Sequence, residues 1–266
     1  MFVIAGKVKK LTNSVKHLKT NIDEIDNFFH YNSGIVSGQT IILGAEGGTG
    51  KTQLMLFILS KLIENGYKAC YISSEETVNQ LASTCDRIGT SNVFLAYTQK
   101  LNDIIKAQAM FDIVVVDSLN MLAGGNNDAK IEQIVHAAKR NNCATVIISH
   151  VTKQKRIKGS TFITHAVDTC LELKKESNVR ILTAFKNRFA SADNQVKFVM
   201  TNTGIKLESL ANITNLFKKG NSISYKDLLE QSKLSEHELN NELIKLMKTS
   251  QVYKSGRDNK AMYTAY

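Results

Sequence analysis

The 266 residues are 43% hydrophobic and 22% charged, ordinary globular usage that excludes a disordered chain or a collagen-like fibre. The length suits one large domain, or a large one with a small companion. Lys and Arg number 34 against 24 Asp and Glu, a formal charge of +10 that favours a polyanionic partner, nucleic acid before membrane.

The N-terminal stretch is basic, with Lys7, Lys9, Lys10, Lys16 and Lys19 preceding the first acid, Asp23. Its apolar start, MFVIA, is too brief for a secretory signal. From Thr40 to about Glu208, short β-rich runs alternate with longer amphipathic stretches. The runs TIILGA, ACYIS, NVFLA, DIVVVD, ATVIIS and TCLEL are continuously apolar and short, which predicts buried strands. TQLMLFILSKLIEN, closed by Gly66, and DAKIEQIVHAAKRNN predict helices between them. Such alternation implies an α/β domain with a mostly parallel, helix-covered sheet. The apolar run Leu54 to Leu59 falls far short of the ~18 residues that cross a bilayer. Beyond Asp168 the runs TCLELK, VRILTAFK, VKFVM and GIKLE follow without helices, which predicts an antiparallel extension on one edge of the sheet.

Near Leu210 the texture changes. LANITNLFKKG predicts a helix ending at Gly220, Ser224 with Asp227 and Ser235 with Glu238 each predict a helix start, and VYKSGRDNKAMYTAY predicts a hairpin. Three short helices followed by a hairpin outline a winged helix, so the expected organisation is a core over 1–209 and a winged-helix-like domain over 210–266. Cys70, Cys85, Cys143 and Cys170 are scattered and form no C-x-x-C pair. Reduced, mostly buried thiols in a cytoplasmic protein are expected, not a zinc ribbon or a disulfide framework.

The strongest chemical signal is Ala45-Glu46-Gly47-Gly48-Thr49-Gly50-Lys51-Thr52, between a predicted strand and a predicted helix. Cradling a triphosphate takes several backbone N–H groups aimed into one concavity, hence glycines, and the helix adds the positive end of its dipole. Lys51 is placed for the β- and γ-phosphates of ATP and Thr52 for Mg²⁺. Ala45 stands where the usual pattern has glycine. Asp117, closing FDIVVVD, is the expected second metal-side acid. Either Glu75 or Glu76, after ACYISS, is placed to orient the attacking water.

Several motifs then converge. Thr20 to Asp26 with Gly34, Ile35 and Gly38, the strand end Ser73-Ser74-Glu75-Glu76-Thr77, His150-Val151-Thr152-Lys153, His165-Ala166-Val167-Asp168-Thr169, and Lys186-Asn187-Arg188-Phe189-Ala190 together resemble the ATPase core of RadA/Sms proteins, within the RecA-like superfamily. The resemblance covers roughly 10–208. It departs from that family in Ala190 for glycine, in the missing zinc ribbon, and in the winged-helix-like tail where the family carries a Lon-like domain.

The resemblance implies Glu75 as catalytic base, His150 as γ-phosphate sensor, and Lys186 and Arg188 as cations offered to a neighbouring subunit's nucleotide. It thereby implies a homo-oligomeric ring or filament, a hexamer by preference, acting on single-stranded DNA in recombination, repair or fork processing. Lys153, Lys155, Arg156 and Lys158 form the basic cluster expected to neutralise DNA phosphates, and Lys254, Arg257 and Lys260 in the hairpin are the second candidate set. Phe162 is expected in the core, with stacking on a base as the alternative. The alternatives are a hexameric replicative helicase of plasmid or phage type, separable by strand-displacement assays, and an ATP-switched winged-helix regulator of duplex DNA.

Overall fold

The computed structural model describes residues 16–31, 33–90, 92–150, 161–192, 194–201, 204–207, 213–217, 222–232, 234, 236–248, 251–256 and 261–265. The chain divides into two compact units, Met1–Leu207 and Glu208–Tyr266.

The larger unit opens with strand β1 (His17–Leu18) paired antiparallel to β2 (Ile35–Val36), with helix α1 (Asp23–Phe29) between them. The buried Asp26 organises this lead-in, accepting hydrogen bonds from Thr20 N and Oγ1 at 2.8 Å and from Asn21 N at 3.1 Å. Then follow β3 (Thr40–Ala45), α2 (Lys51–Glu64), β4 (Ala69–Ser73), α3 (Val78–Ile88), β5 (Phe94–Tyr97), α4 (Leu101–Gln108), β6 (Ile113–Asp117), α5 (Asn127–Asn141), β7 (Ala144–His150) and α6 (Thr161–Ala166). Four strands complete the unit: β8 (Thr169–Glu176), β9 (Val179–Asn187), β10 (Gln195–Thr201) and β11 (Gly204–Leu207).

Among the described residues the main sheet runs in the order β11-β10-β9-β8-β3-β7-β6-β4-β5. Pairing is parallel from β8 through β3, β7, β6 and β4 to β5, and antiparallel from β8 through β9 and β10 to β11. The fold is therefore α/β with an antiparallel extension on one edge.

Alternate residues of the central strands feed opposite faces, as strand geometry requires. Ile41, Leu43, Tyr71, Ile113 and Val115 join Leu54, Leu56 and Leu59 of α2 on one side. Ile42, Ile72, Val114, Val116 and Ile147 join Ile104 of α4 and Ile131 and Ile134 of α5 on the other. Both faces are covered, which explains the unbroken apolar runs.

NVFLA departs from the buried-strand expectation. Its strand is the outermost, with Phe94 and Tyr97 exposed, while Leu95 and Ala96 between them pack against the two cores; an edge strand has a neighbour on one side alone and is covered less completely than a central one. Phe162 likewise lies exposed, and it is Ile163 of α6 that enters the core; a six-residue helix buries one narrow side.

In the smaller unit a single 3₁₀ turn (Ile213–Leu216) precedes β12 (Ser222–Ser224), α7 (Tyr225–Ser232), α8 (Glu236–Lys248), β13 (Val252–Ser255) and β14 (Met262–Ala265). Ser224 caps α7, accepting from Asp227 N at 3.1 Å while its hydroxyl donates to Asp227 Oδ2 at 2.6 Å. The strands form a small antiparallel sheet, β12-β14-β13, over a core of Ile213, Leu228, Leu239, Leu243, Val252 and Tyr263. Ser235, the second expected cap, lies outside the described residues. No described helix is long and apolar enough to cross a membrane.

Candidate nucleotide site

The phosphate loop leaves β3 at Ala45 and enters α2 at Lys51. Parallel pairing sets His150, the last residue of β7, beside Ala45; of His150 the backbone alone is described. Gly50 is the N-cap residue of α2, at φ +96°, and caps with no side-chain hydrogen bond. The first amides of the helix therefore keep no internal partner, and no acid stands in the first turn, so the helix dipole favours an anion here. A Cβ at Gly47 or Gly48 would meet nothing within 4 Å, so the loop borders open space of the kind a phosphate chain would fill. Lys51 Nζ folds over this space and donates to Glu46 O at 3.2 Å, while Thr49 Oγ1 braces the same carbonyl at 2.9 Å.

Asp117 ends β6, directly beside Ser73 of β4, and is nearly buried. The phenol of Tyr71, wholly buried, donates to Asp117 Oδ2 at 2.5 Å. Burial in the first place, and then the Asp117 charge, push the Tyr71 phenol well above its usual range. Thr52 Oγ1 lies 3.5 Å from Glu76 Oε2. Burial first, then the charge of Asp117, raise the Glu76 carboxyl above the ordinary glutamate range, against the lowering effect of the Thr52 bond. Glu75 turns the other way and accepts from the Ser118 hydroxyl. Thr52, Glu76, Tyr71 and Asp117 thus gather at the mouth of the loop, the Asp117 charge acting on both Glu76 and Tyr71.

These donors are hard oxygens, suited to a Mg²⁺ that keeps waters and phosphate oxygens as most of its ligands. Among the described residues no group of three or more His, Cys, Asp or Glu could hold a metal by itself.

Two residues that carry no sequence signal reach the loop from the antiparallel extension. Arg180 of β9 donates from Nε to Thr49 O at 3.2 Å. The side chain of Met200 in β10 closes over Gly50, where a Cβ would fall 2.1 Å from its Cε. Strand pairing alone brings residues so distant in the chain to the loop.

Lys186 and Arg188 sit elsewhere. Lys186 pairs with Cys170, which pairs with Ile42, so it lies about three residues, roughly 10 Å of strand, from the loop end of β3. Its ammonium donates to the carbonyls of Thr164 at 2.6 Å and Val167 at 2.7 Å, at the C-terminal end of α6. Burial lowers its pKa below that of a free lysine. Arg188 pairs with Asp168 at 2.8 Å, and Asp168 also accepts from Thr40 N and Oγ1. Both cations are thus held in their own chain, at the sheet end opposite their own loop.

Lys153, Lys155, Arg156, Lys158, Arg257 and Lys260 lie outside the described residues. Lys254 is exposed on β13, its Nζ 5.9 Å from the centre of the Tyr263 ring.

Compared with known proteins, the chain matches the family model described as ATPase: KaiC over residues 18–94. Among curated proteins it is 33% identical over 208 residues to the DNA repair protein RadA of Campylobacter jejuni, covering 72% of this chain and 46% of that protein. It is 30% identical over 222 residues to RadA of Listeria monocytogenes, covering 76% and 47%. The chain thus spans under half the length of these curated relatives. Among solved structures it resembles the flagellar accessory protein FlaH of Methanocaldococcus jannaschii, with a TM-score of 0.60 and 16% identity over 73% of this chain and 99% of that one; that likeness is one of fold. The chain is thus similar over residues 18–94 to the KaiC-type ATPase model, and in sequence over about three quarters of its length to RadA proteins.

Proposed function

We propose that the chain is an ATP hydrolase that works on DNA in repair, recombination or fork processing, and that single-stranded DNA stimulates it. The observation that carries the reading is the gathering of Thr52, Glu76 and Asp117 beside an open, amide-lined loop. In this reading Gly47, Gly48, Thr49 and Gly50 give main-chain amides to the phosphates of ATP, Lys51 reaches the β- and γ-phosphates, and Thr52 and Asp117 hold Mg²⁺. Magnesium supplies charge neutralisation on the phosphates when it is bound. Glu75, exposed and anchored by Ser118, orients water, and His150 senses the γ-phosphate from the end of β7.

Lys186 and Arg188 are assigned to the nucleotide of a neighbouring copy. Their distance from their own loop supports this, because a cation at the far end of the sheet is useful to hydrolysis where subunits stack head to tail. The working form is then a homo-oligomeric ring or filament. The smaller unit, with its 3₁₀ turn, strand, two helices and two strands in that order, is read as a winged helix that touches DNA through α8 and the β13–β14 hairpin. The RadA relatives are named as DNA repair proteins, which agrees with a DNA substrate.

The test is ATP turnover with and without single-stranded DNA, alongside mass measurement of the assembly. Stimulated turnover by a multi-subunit particle is expected. Turnover indifferent to DNA, or turnover by a monomer, overturns the reading.

A further inference from the structure

We propose that Tyr71 is a positioning residue of the nucleotide site, a buried phenol that fixes the carboxylate of Asp117. The proposal rests on the assignment of Asp117 to magnesium and extends it to a side chain outside that assignment.

The ring of Tyr71 lies inside the apolar cluster under α2 and is 0% exposed. If filling space were its whole role, phenylalanine would serve, since a buried hydroxyl costs about 1–3 kcal/mol unless it is hydrogen-bonded. Its bond runs to a charged acceptor, Asp117 Oδ2, at 2.5 Å, the short and strong class of hydrogen bond. Reaching it takes the full length of the side chain. Tyr71 is paired with Val115 and Asp117 with Ser73, so the phenol crosses one strand and climbs two residues.

One hydroxyl carried on β4 therefore anchors the carboxylate at the end of the neighbouring strand β6. Engaging Oδ2 fixes the rotation of the carboxylate. Outer partners of this sort govern how tightly a metal site holds its ion.

The experiment compares the full chain with Tyr71→Phe and with Tyr71→Met, which fills similar space with a flexible side chain and no donor. A fluorescent ADP analogue is titrated in EDTA and across a Mg²⁺ series. In parallel, the rise in Tm produced by ADP alone is compared with that produced by ADP plus Mg²⁺. Both readings are differences within one protein, so a lower starting stability does not disguise them.

The expected result is an unchanged metal-free affinity with the half-saturating Mg²⁺ raised about tenfold, and a smaller Tm gain from Mg²⁺. Unchanged half-saturation in both variants overturns the proposal. So does an equal loss of affinity with and without metal, which marks a merely structural tyrosine. A wild-type chain that binds no ADP overturns the nucleotide assignment itself, and that is seen before any variant is measured.

Discussion

Substituting Gly50→Ala tests how closely the phosphate loop is built against its surroundings. Gly50 holds φ +96°, where a side chain adds about 1–2 kcal/mol of backbone strain. The new Cβ would stand 2.1 Å from Met200 Cε, so the end of Met200 must move. Such overpacking typically costs about 1–3 kcal/mol, giving a combined loss of about 2–5 kcal/mol. The two parts separate in a double-mutant cycle. Met200→Ala alone gives up a half-buried side chain, about 1–2 kcal/mol, but it clears the space that the added methyl group needs. The double variant should then recover about 1–3 kcal/mol relative to the sum of the singles, with the backbone strain left over. Urea unfolding of the four proteins without nucleotide, followed by circular dichroism, measures each corner. A Gly50→Ala protein as stable as its parent, or strict additivity in the double variant, would refute the reasoning.

Asp168→Ala orphans the backbone amide of Thr40, which donates to that carboxylate at 3.0 Å, and should lower stability by about 1–3 kcal/mol. The Arg188 side of the pair is half exposed and adds little to that figure; a loss below about 0.5 kcal/mol in urea unfolding contradicts the account. Glu76→Gln should stabilise the nucleotide-free protein at neutral pH. The folded state raises the Glu76 pKa, so its ionised form disfavours folding above the ordinary glutamate range and the penalty fades as pH falls through the folded pKa. Stability curves that keep the same gap between variant and parent from pH 7 down past the ordinary glutamate pKa would rule this out. The four cysteines are free and buried, with burial pushing Cys70 and Cys143 up to about 12 and Cys170 up to about 11. At mildly alkaline pH a thiol reagent should label them at the rate of unfolding, and fast labelling of the native chain contradicts the burial.

The phosphate loop is legible in the sequence because its function demands an unusual local composition, glycines between an apolar strand and an amphipathic helix. Asp117 is legible for a similar reason, an acid closing an uninterrupted apolar run. The parallel sheet and its antiparallel edge follow from where helices cease to separate strands. Tyr71, Arg180 and Met200 are not legible, because their partners are set by strand register and crossover, which short motifs do not encode. The contrast between Glu75 and Glu76 turns on adjacent side chains pointing to different sides, which their sequence, two identical residues, does not reveal. Phe94 misleads because an apolar run looks the same in a central strand and in an outer one. The short helices α1 and α4 carry too few turns for a clear period.

The grip of the β9–β10 arm on the phosphate turn bears on any attempt to transplant it. Arg180 and the carbonyl it holds are 131 positions apart, so a graft confined to the glycine-rich segment would leave much of its scaffolding behind. The portable unit is discontinuous, a turn together with a distant hairpin, and a chimera that exchanges one without the other should inherit the motif but not its rigidity.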